Sequence, residues 1–501
     1  MTVVEDTKPV EAQAQAVMEQ TVSPKQLRFV IAGSAVGTMI DWYDFYIYGS
    51  LATILAAQFF PSSNTLLSLL AAFGIFGVGF AVRPFGALFY GWMGDKFGRK
   101  GTFMLTILGM GTATFVIGLL PTAAQIGVFA GVILAALRII QGLSLGGEYG
   151  GAVIYVTEHS PDSKRGYYTS WIQTTATLGF FVALTAVLVT RLEVGTTAFS
   201  AWGWRVPFLV SIFLLALGVY LRIKLKETPF FSYIKSKGQL SKNPLRESFG
   251  KNWKLITLAL LGATAGEGVV WYTGQFWLLY FLQTVAKVDL VTSNLVVLAA
   301  LAAGAPFFIV FGWLSDRIGR KRVMLTGNIL AAVTYVPIFM GISYGATTGN
   351  IPLMAFLGWI LVLYVTMVYA PIAAYLAELF ATRVRYTSMS FPYHIGNGWF
   401  GGFVPYIALF MILTFGGVQL GTKGEILSIA NPYVGLAYPI AVATMTAIIM
   451  AIFVKETKHV KIWDEFKQVG PSISTPPSLT RGVDAERKSD GDIPGVVGAS
   501  Q

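Results

Sequence analysis

Long apolar stretches alternate with short polar ones from residue 29 to residue 455. They run over 29–59, 66–93, 103–121, 124–157, 169–191, 203–225, 253–285, 292–314, 323–344, 351–380, 387–416 and 432–455. An α-helix needs roughly 20 apolar residues to cross the hydrocarbon core of a bilayer. The pattern therefore predicts an all-α polytopic membrane protein with twelve transmembrane helices, several long enough to tilt or project beyond the lipid. The polar segments divide it into a tail over 1–24, a six-helix bundle over 25–225, a linker over 226–252, a second six-helix bundle over 253–456 and a mostly disordered tail over 457–501. Neither tail carries a helical or heptad period, so no coiled-coil module is expected.

Composition narrows this further. Charged residues make up 12% of the chain and hydrophobic ones 54%, about half the charge that a water-facing surface carries. The basic residues concentrate on one side. With the N-terminus inside, the cytoplasmic loops hold Lys96, Arg99, Lys100, Lys164, Arg165, Arg317, Arg320, Lys321, Arg322, Arg383 and Arg385. The stretch between spans six and seven adds Arg222, Lys224, Lys226, Lys235, Lys237, Lys242, Arg246, Lys251 and Lys254, whereas the outer loops offer Arg191, Lys287 and Lys423, with Arg205 at a span entrance. This asymmetry predicts both termini in the cytoplasm of a bacterial inner membrane. It also accounts for the net charge of +11 as a lipid-adjacent basic face, so no nucleic-acid partner is expected. The first 25 residues lack an apolar core, so no cleaved signal peptide is expected and span one acts as an anchor. No cysteine and three scattered histidines, His159, His394 and His459, argue against thiol chemistry and a metal centre.

The halves repeat. Gly91-Trp92-Met93-Gly94-Asp95-Lys96-Phe97-Gly98-Arg99-Lys100 follows span two, and Gly312-Trp313-Leu314-Ser315-Asp316-Arg317-Ile318-Gly319-Arg320-Lys321 follows span eight. Glu158, Arg165 and Tyr168-Thr169-Ser170 follow span four; Glu378, Arg385 and Tyr386-Thr387-Ser388 follow span ten. Six spans per half is an even number, so the halves are related in parallel about an axis along the membrane normal.

These loops, with Arg138-Ile139-Ile140-Gln141-Gly142 in span four, resemble the signatures of the major facilitator superfamily. Asp41-Trp42-Tyr43-Asp44-Phe45, Arg83-Pro84-Phe85-Gly86, Gly146-Gly147-Glu148-Tyr149-Gly150-Gly151 and Val270-Trp271-Tyr272-Thr273 are similar to its metabolite:proton symporter branch, which includes carriers for shikimate, 2-oxoglutarate, citrate and proline/betaine. The resemblance covers nearly the whole span region and neither tail. It implies a monomeric secondary transporter whose partners are a small-molecule solute, protons and the lipid bilayer. No cofactor or enzyme activity is implied.

Ionisable groups at bilayer depth cost at least ~2.5–3.5 kcal/mol on insertion scales, so each calls for an explanation. Asp41 and Asp44 share roughly one face of span one near mid-depth, and Arg138 lies at comparable depth in span four, where an opposite charge would compensate it. Burial in low dielectric favours the neutral form of a carboxyl group, which suits proton exchange. Asp41, Asp44, Arg138 and Glu148 are the proton-coupling candidates. An Asp–Arg pair that only pins two helices is the plain alternative, and which aspartate carries the proton stays open. Arg83 reads equally as an arginine snorkelling to the interface or as a clamp on a solute carboxylate. The glycines around Glu148 suit close helix packing, but the glutamate itself points to solute or coupling. Glu267, in Ala265-Gly266-Glu267-Gly268, is a similar but less specific feature.

Trp271 and Tyr272, with Gln275 one turn on, are the aromatic cavity candidates, able to stack on a ring or cage a quaternary ammonium. Tyr43 and His394 complete the solute set; the resemblance makes His394 a polar cavity residue rather than a relay. For the loops it implies a cytoplasmic gate of Gly91, Asp95, Gly98, Arg99, Glu158, Arg165, Asp316, Gly319, Arg320, Glu378 and Arg385. Arg99 is expected to pair with Glu158 and Arg320 with Glu378, with Asp95 and Asp316 near helix N-termini of the opposite half. The expected function is proton-coupled symport of an organic acid, with a zwitterion of the proline/betaine type as the alternative. Span five, Trp171-Ile172-Gln173-Thr174-Thr175-Ala176-Thr177-Leu178-Gly179, lacks the Gly-Pro pattern of antiporters, which disfavours a drug antiporter. A transport-inactive sensor of the same fold stays open.

Overall fold

The structure, a computed structural model, describes residues 24–62, 64–97, 99–224, 243–381, 384–421 and 426–462. Most of both tails and of the linker lies outside them. Among the described residues ten helices are long and apolar enough to cross a membrane. The helices Pro24–Ser50 and Arg99–Leu119 supply spans one and three.

Several spans are interrupted where the sequence removes a backbone donor or supplies a cap. Span two consists of Thr65–Ala81 and Arg83–Phe97. Pro84 cannot donate to the preceding turn, so the helix breaks at Val82 and leaves Arg83 at the break. Span eight divides at Ala305 before Pro306, and span ten into Ile351–Tyr369 and Ile372–Leu379 around Pro371. Span eleven widens after Pro392 into a π-helical segment, His394–Gly401. Span seven has π-helical segments at Leu260–Thr264, Thr273–Trp277 and Phe281–Val285. Wide turns of this kind recur at functional sites.

Span seven starts earlier than its apolar stretch. Its helix begins at Pro244, inside the stretch assigned to the linker, because the Asn243 side chain accepts from Arg246 N (3.3 Å) and Pro244 suits a first helical position. This first stretch is polar, which is why hydropathy alone places the start at 253. At the other end, residues 457–462, assigned to the tail, pack on the face that carries the repeated loops: Thr457 Oγ1 donates to Glu378 Oε2 (2.6 Å).

Spans two and four pack backbone to backbone. A Cβ on Gly86 would run into the Leu143 carbonyl, and one on Gly146 into that of Arg83. The glycines thus fix how close Arg83 lies to span four. Between the halves, span two packs on span eleven and span five on span eight. Two short strands, Val418–Leu420 and Ile426–Ile429, form an antiparallel hairpin between spans eleven and twelve.

Candidate functional site

At the centre, between the halves, lies Arg83, fully buried. The snorkelling alternative does not hold, because the break at Val82 turns the side chain inward. Its Nη1 donates to Asn397 Oδ1 (3.0 Å), and its guanidinium lies over Trp42 (5.2 Å) and Phe80 (5.4 Å). Nε and Nη2 have no acceptor among the described residues. Asn397, in the π-helical segment of span eleven, donates through Nδ2 to Glu267 Oε1 of span seven (3.0 Å), and Glu267 Oε2 is buried without a donor. The chain Arg83–Asn397–Glu267 thus crosses from one half to the other, with two donors open at one end and one acceptor open at the other.

Aromatic side chains wall this centre. Trp271 stacks on Tyr46 (5.2 Å) and Tyr272 meets Phe80 edge-on (5.0 Å). Tyr149 stacks on Tyr393 (3.6 Å), whose hydroxyl is 2.8 Å from that of Tyr369. His394 is buried edge-on to Tyr393 (5.1 Å). Gln275 joins the halves from span seven, its Nε2 donating to Thr177 Oγ1 of span five (3.2 Å). Two solute candidates are corrected. The Tyr43 hydroxyl donates to Pro207 O (2.7 Å) and so ties span one to span six, facing away from the centre. Glu148 pairs with Arg222 inside the N-terminal half.

The charges of spans one, four and six sort differently from the expected Asp–Arg pairing. Arg138 has no carboxylate partner among the described residues. It donates to Phe45 O (3.2 Å), Phe76 O (3.3 Å) and Gln141 Oε1 (2.9 Å) and lies over the Phe45 ring (4.1 Å). Backbone dipoles and π faces compensate it instead. Asp41 pairs with Arg222 Nη2 (2.6 Å), which also donates to Glu148. Arg222 was counted with the basic loop, but it sits within the last apolar turns of span six and is buried. Asp44 is fully buried, and neither of its carboxyl oxygens has a hydrogen-bond partner among the described residues.

At the end that carries the repeated loops the halves are ion-paired. Arg165 Nη1 donates to Glu378 Oε1 (2.8 Å), and Arg385 Nη1 lies 3.9 Å from Glu158 Oε1. Arg320 reaches Glu378 (3.1 Å) and Asp316 (2.6 Å). Asp316 accepts from Gly166 N (2.9 Å) and Tyr167 N (2.8 Å), the exposed donors at the start of span five in the opposite half. Gly91 of span two backs onto the Tyr386 ring of span eleven, and Gly319, at φ 112°, sits against the Glu456 carboxylate. The side chains of Asp95 and Arg99, and Gly98 entirely, lie outside the described residues, and with them the expected Arg99–Glu158 pair. Glu456 accepts from Arg320 N (2.8 Å) and Lys321 N (3.1 Å), and Arg165 donates to Val460 O (3.3 Å), so the segment after span twelve also braces this face. On the opposite side the Tyr280 hydroxyl donates to Gly49 O (2.6 Å) and Phe73 stacks on Tyr280 (4.5 Å). Contacts between the halves thus lie on both sides of the centre.

The sequence matches the sugar (and other) transporter family over residues 30–465. The chain belongs to that family. Its relatives include a glycine betaine/proline/ectoine/pipecolic acid transporter of Dickeya dadantii, 32% identical over 448 residues that cover 87% of this chain and 84% of the relative. An inner membrane metabolite transport protein of Escherichia coli is 34% identical over 449 residues, 88% of this chain and 97% of the relative. The shikimate transporter of Escherichia coli is 32% identical over 408 residues, 80% and 91%. Among solved structures, the major facilitator superfamily proton:xylose symporter XylE aligns with a TM-score of 0.68 at 15% identity, covering 89% of this chain and 99% of that one; this likeness is one of fold. The protein is thus a multi-pass inner-membrane transporter of the twelve-helix major facilitator fold, and not an enzyme.

Three participants escaped the sequence reading: Asn397, Arg222 and the 456–460 segment. Asn397, in Gly396-Asn397-Gly398, carried a usable signal, a polar residue between glycines inside an apolar stretch. Arg222 carried one too, since it falls inside the sixth apolar stretch.

Proposed function

We propose that this transporter moves a small carboxylate-bearing solute inward together with a proton, by alternating access of its two halves around the central site. It works as a monomer with both termini in the cytoplasm, an orientation supported by the basic cytoplasmic loops. The observation that carries the reading is Arg83: a guanidinium buried between the halves, with Nε and Nη2 open, is matched in charge and geometry by a carboxylate. The solutes in the relatives' names, among them proline, glycine betaine and shikimate, all bear one. The proton is assigned to Asp44. A buried carboxyl group without a cation or donor is tolerated as the neutral acid rather than as the ion. Solute and proton loading allow the Arg165–Glu378 and Glu158–Arg385 pairs to part and the cytoplasmic side to open.

A second reading, a zwitterion as solute, is favoured by Glu267. Its free Oε2, at the far end of the Arg83–Asn397–Glu267 chain, suits an ammonium group. Uptake by proteoliposomes under an inward proton gradient, with shikimate, proline and glycine betaine as probes, tests both. Uphill accumulation of at least one probe is expected, and preference for proline or betaine over shikimate selects the zwitterion. Accumulation indifferent to the proton gradient for every probe that enters would contradict the reading.

A further inference from the structure

The cluster on spans one, four and six lies within the N-terminal half, and its charges do not balance. Arg222 Nη2 donates both to Asp41 Oδ2 (2.6 Å) and to Glu148 Oε1, so one nitrogen serves two carboxyl groups. One guanidinium neutralises one carboxylate. The other would stand uncompensated in the interior, where Asp41 is 0% and Glu148 2% exposed, and an uncompensated buried charge is far costlier than a neutral acid. Asp41 Oδ1 is itself buried with no donor.

Among the described residues no second cation pairs with Asp41 or Glu148. From span three, the Thr106 hydroxyl lies 3.5 Å from Arg222 Nη1. Along span one the next charged group is Asp44, another acid, and Gly37 lies against the guanidinium. Arg138, further along span four, is turned to Phe45 and Tyr48. The Asp41 and Glu148 side chains also lie within hydrogen-bond reach of each other, and a bond between carboxyl oxygens requires a proton. One proton makes the cluster neutral; its loss leaves a net negative charge.

We propose that Asp41 and Glu148 share one proton above Arg222, a second proton-binding site distinct from Asp44 and from the solute site. Its use in the transport cycle rests on the symport reading, but its existence does not. Because it lies wholly within the N-terminal half, it holds its proton without bridging the halves.

Infrared difference spectroscopy of the purified full chain across a pH titration reads carboxyl protonation without any transport. Asp41→Asn and Glu148→Gln are each expected to remove the same carboxylic C=O component, since either change leaves one carboxylate against one guanidinium. Arg222→Gln is expected to retain that component and add about one further proton, because two carboxyl groups then have no cation. A spectrum unchanged by both neutralising substitutions, or a component lost in one and kept in the other, would overturn the shared proton. If neither neutralised variant folds, Arg222→Gln decides alone, and absence of any gain in carboxyl intensity counts against the site. A wild type that moves no protons with solute would remove the symport reading and leave these bands in place, so the two failures are distinguishable.

Discussion

In the proposed function Arg83 takes the solute carboxylate and Glu267 an ammonium group, and substitution separates these parts. Replacing Arg83 by Ala removes hydrogen bonds from a charged group, worth about 1.5–3 kcal/mol, so the KM for a carboxylate solute is expected to rise roughly ten- to hundredfold. Initial uptake rates measure this; an unchanged KM would mean that Arg83 does not touch the solute. Glu267→Gln is expected to weaken proline or betaine uptake while leaving shikimate uptake closer to wild type, and equal loss on all three probes would remove the zwitterion reading. Asp44→Asn is expected to abolish accumulation against a gradient while exchange continues at a reduced rate, as counterflow would reveal. The sequence singled out the ionisable residues at depth but not their partners. Asp41 and Asp44 are three residues apart on one helix, yet one faces Arg222 and the other no cation. Sequence distance fixes which face of a helix a residue occupies, and the partner depends on which helix lies against it.

Apolar length predicted the twelve spans because the bilayer imposes one length on every helix that crosses it. It could not predict the interruptions. The wide turns of spans seven and eleven place Gln275, His394 and Asn397 at the interface between the halves, and hydropathy carries no trace of a wide turn. The glycines of spans two and four act at this scale. Gly86→Val would drive a side chain into the Leu143 carbonyl, and overpacking of this kind costs about 1–3 kcal/mol. Thermal unfolding in detergent is expected to show a lower Tm, together with weakened solute binding because Arg83 moves with its helix. A Tm equal to wild type would show that the spans are not held at this separation.

Across the whole molecule, the Arg165–Glu378 and Glu158–Arg385 ion pairs and the Tyr280–Gly49 contact join the halves on either side of the centre. Breaking one seal biases the equilibrium toward opening on that side. Glu378→Gln removes the shared partner of Arg165 and Arg320, and a bias of about 1.4 kcal/mol is tenfold in population. The chain has no cysteine, so Ser390→Cys, beside Gly150 at the interface, gives a single thiol. Its labelling from the cytoplasmic side is expected to quicken roughly tenfold in the Glu378→Gln background, and an unchanged rate would deny these pairs a gating role. The repeated loops made the ion-paired face legible in outline, because matched motifs in corresponding loops take matched positions. Arg165 reaching Glu378 across the halves, and the 456–460 segment bracing both, depend on how the halves dock, which neither half's sequence encodes alone.

Proton movement with solute is the claim on which the rest depends. Proteoliposomes carrying the purified protein, with a pH-sensitive dye in the lumen and no imposed proton gradient, measure it directly on addition of proline, glycine betaine or shikimate. Acidification of the lumen in step with solute entry, lost in Asp44→Asn, is the expected result. Solute entry without any change in luminal pH would contradict the account.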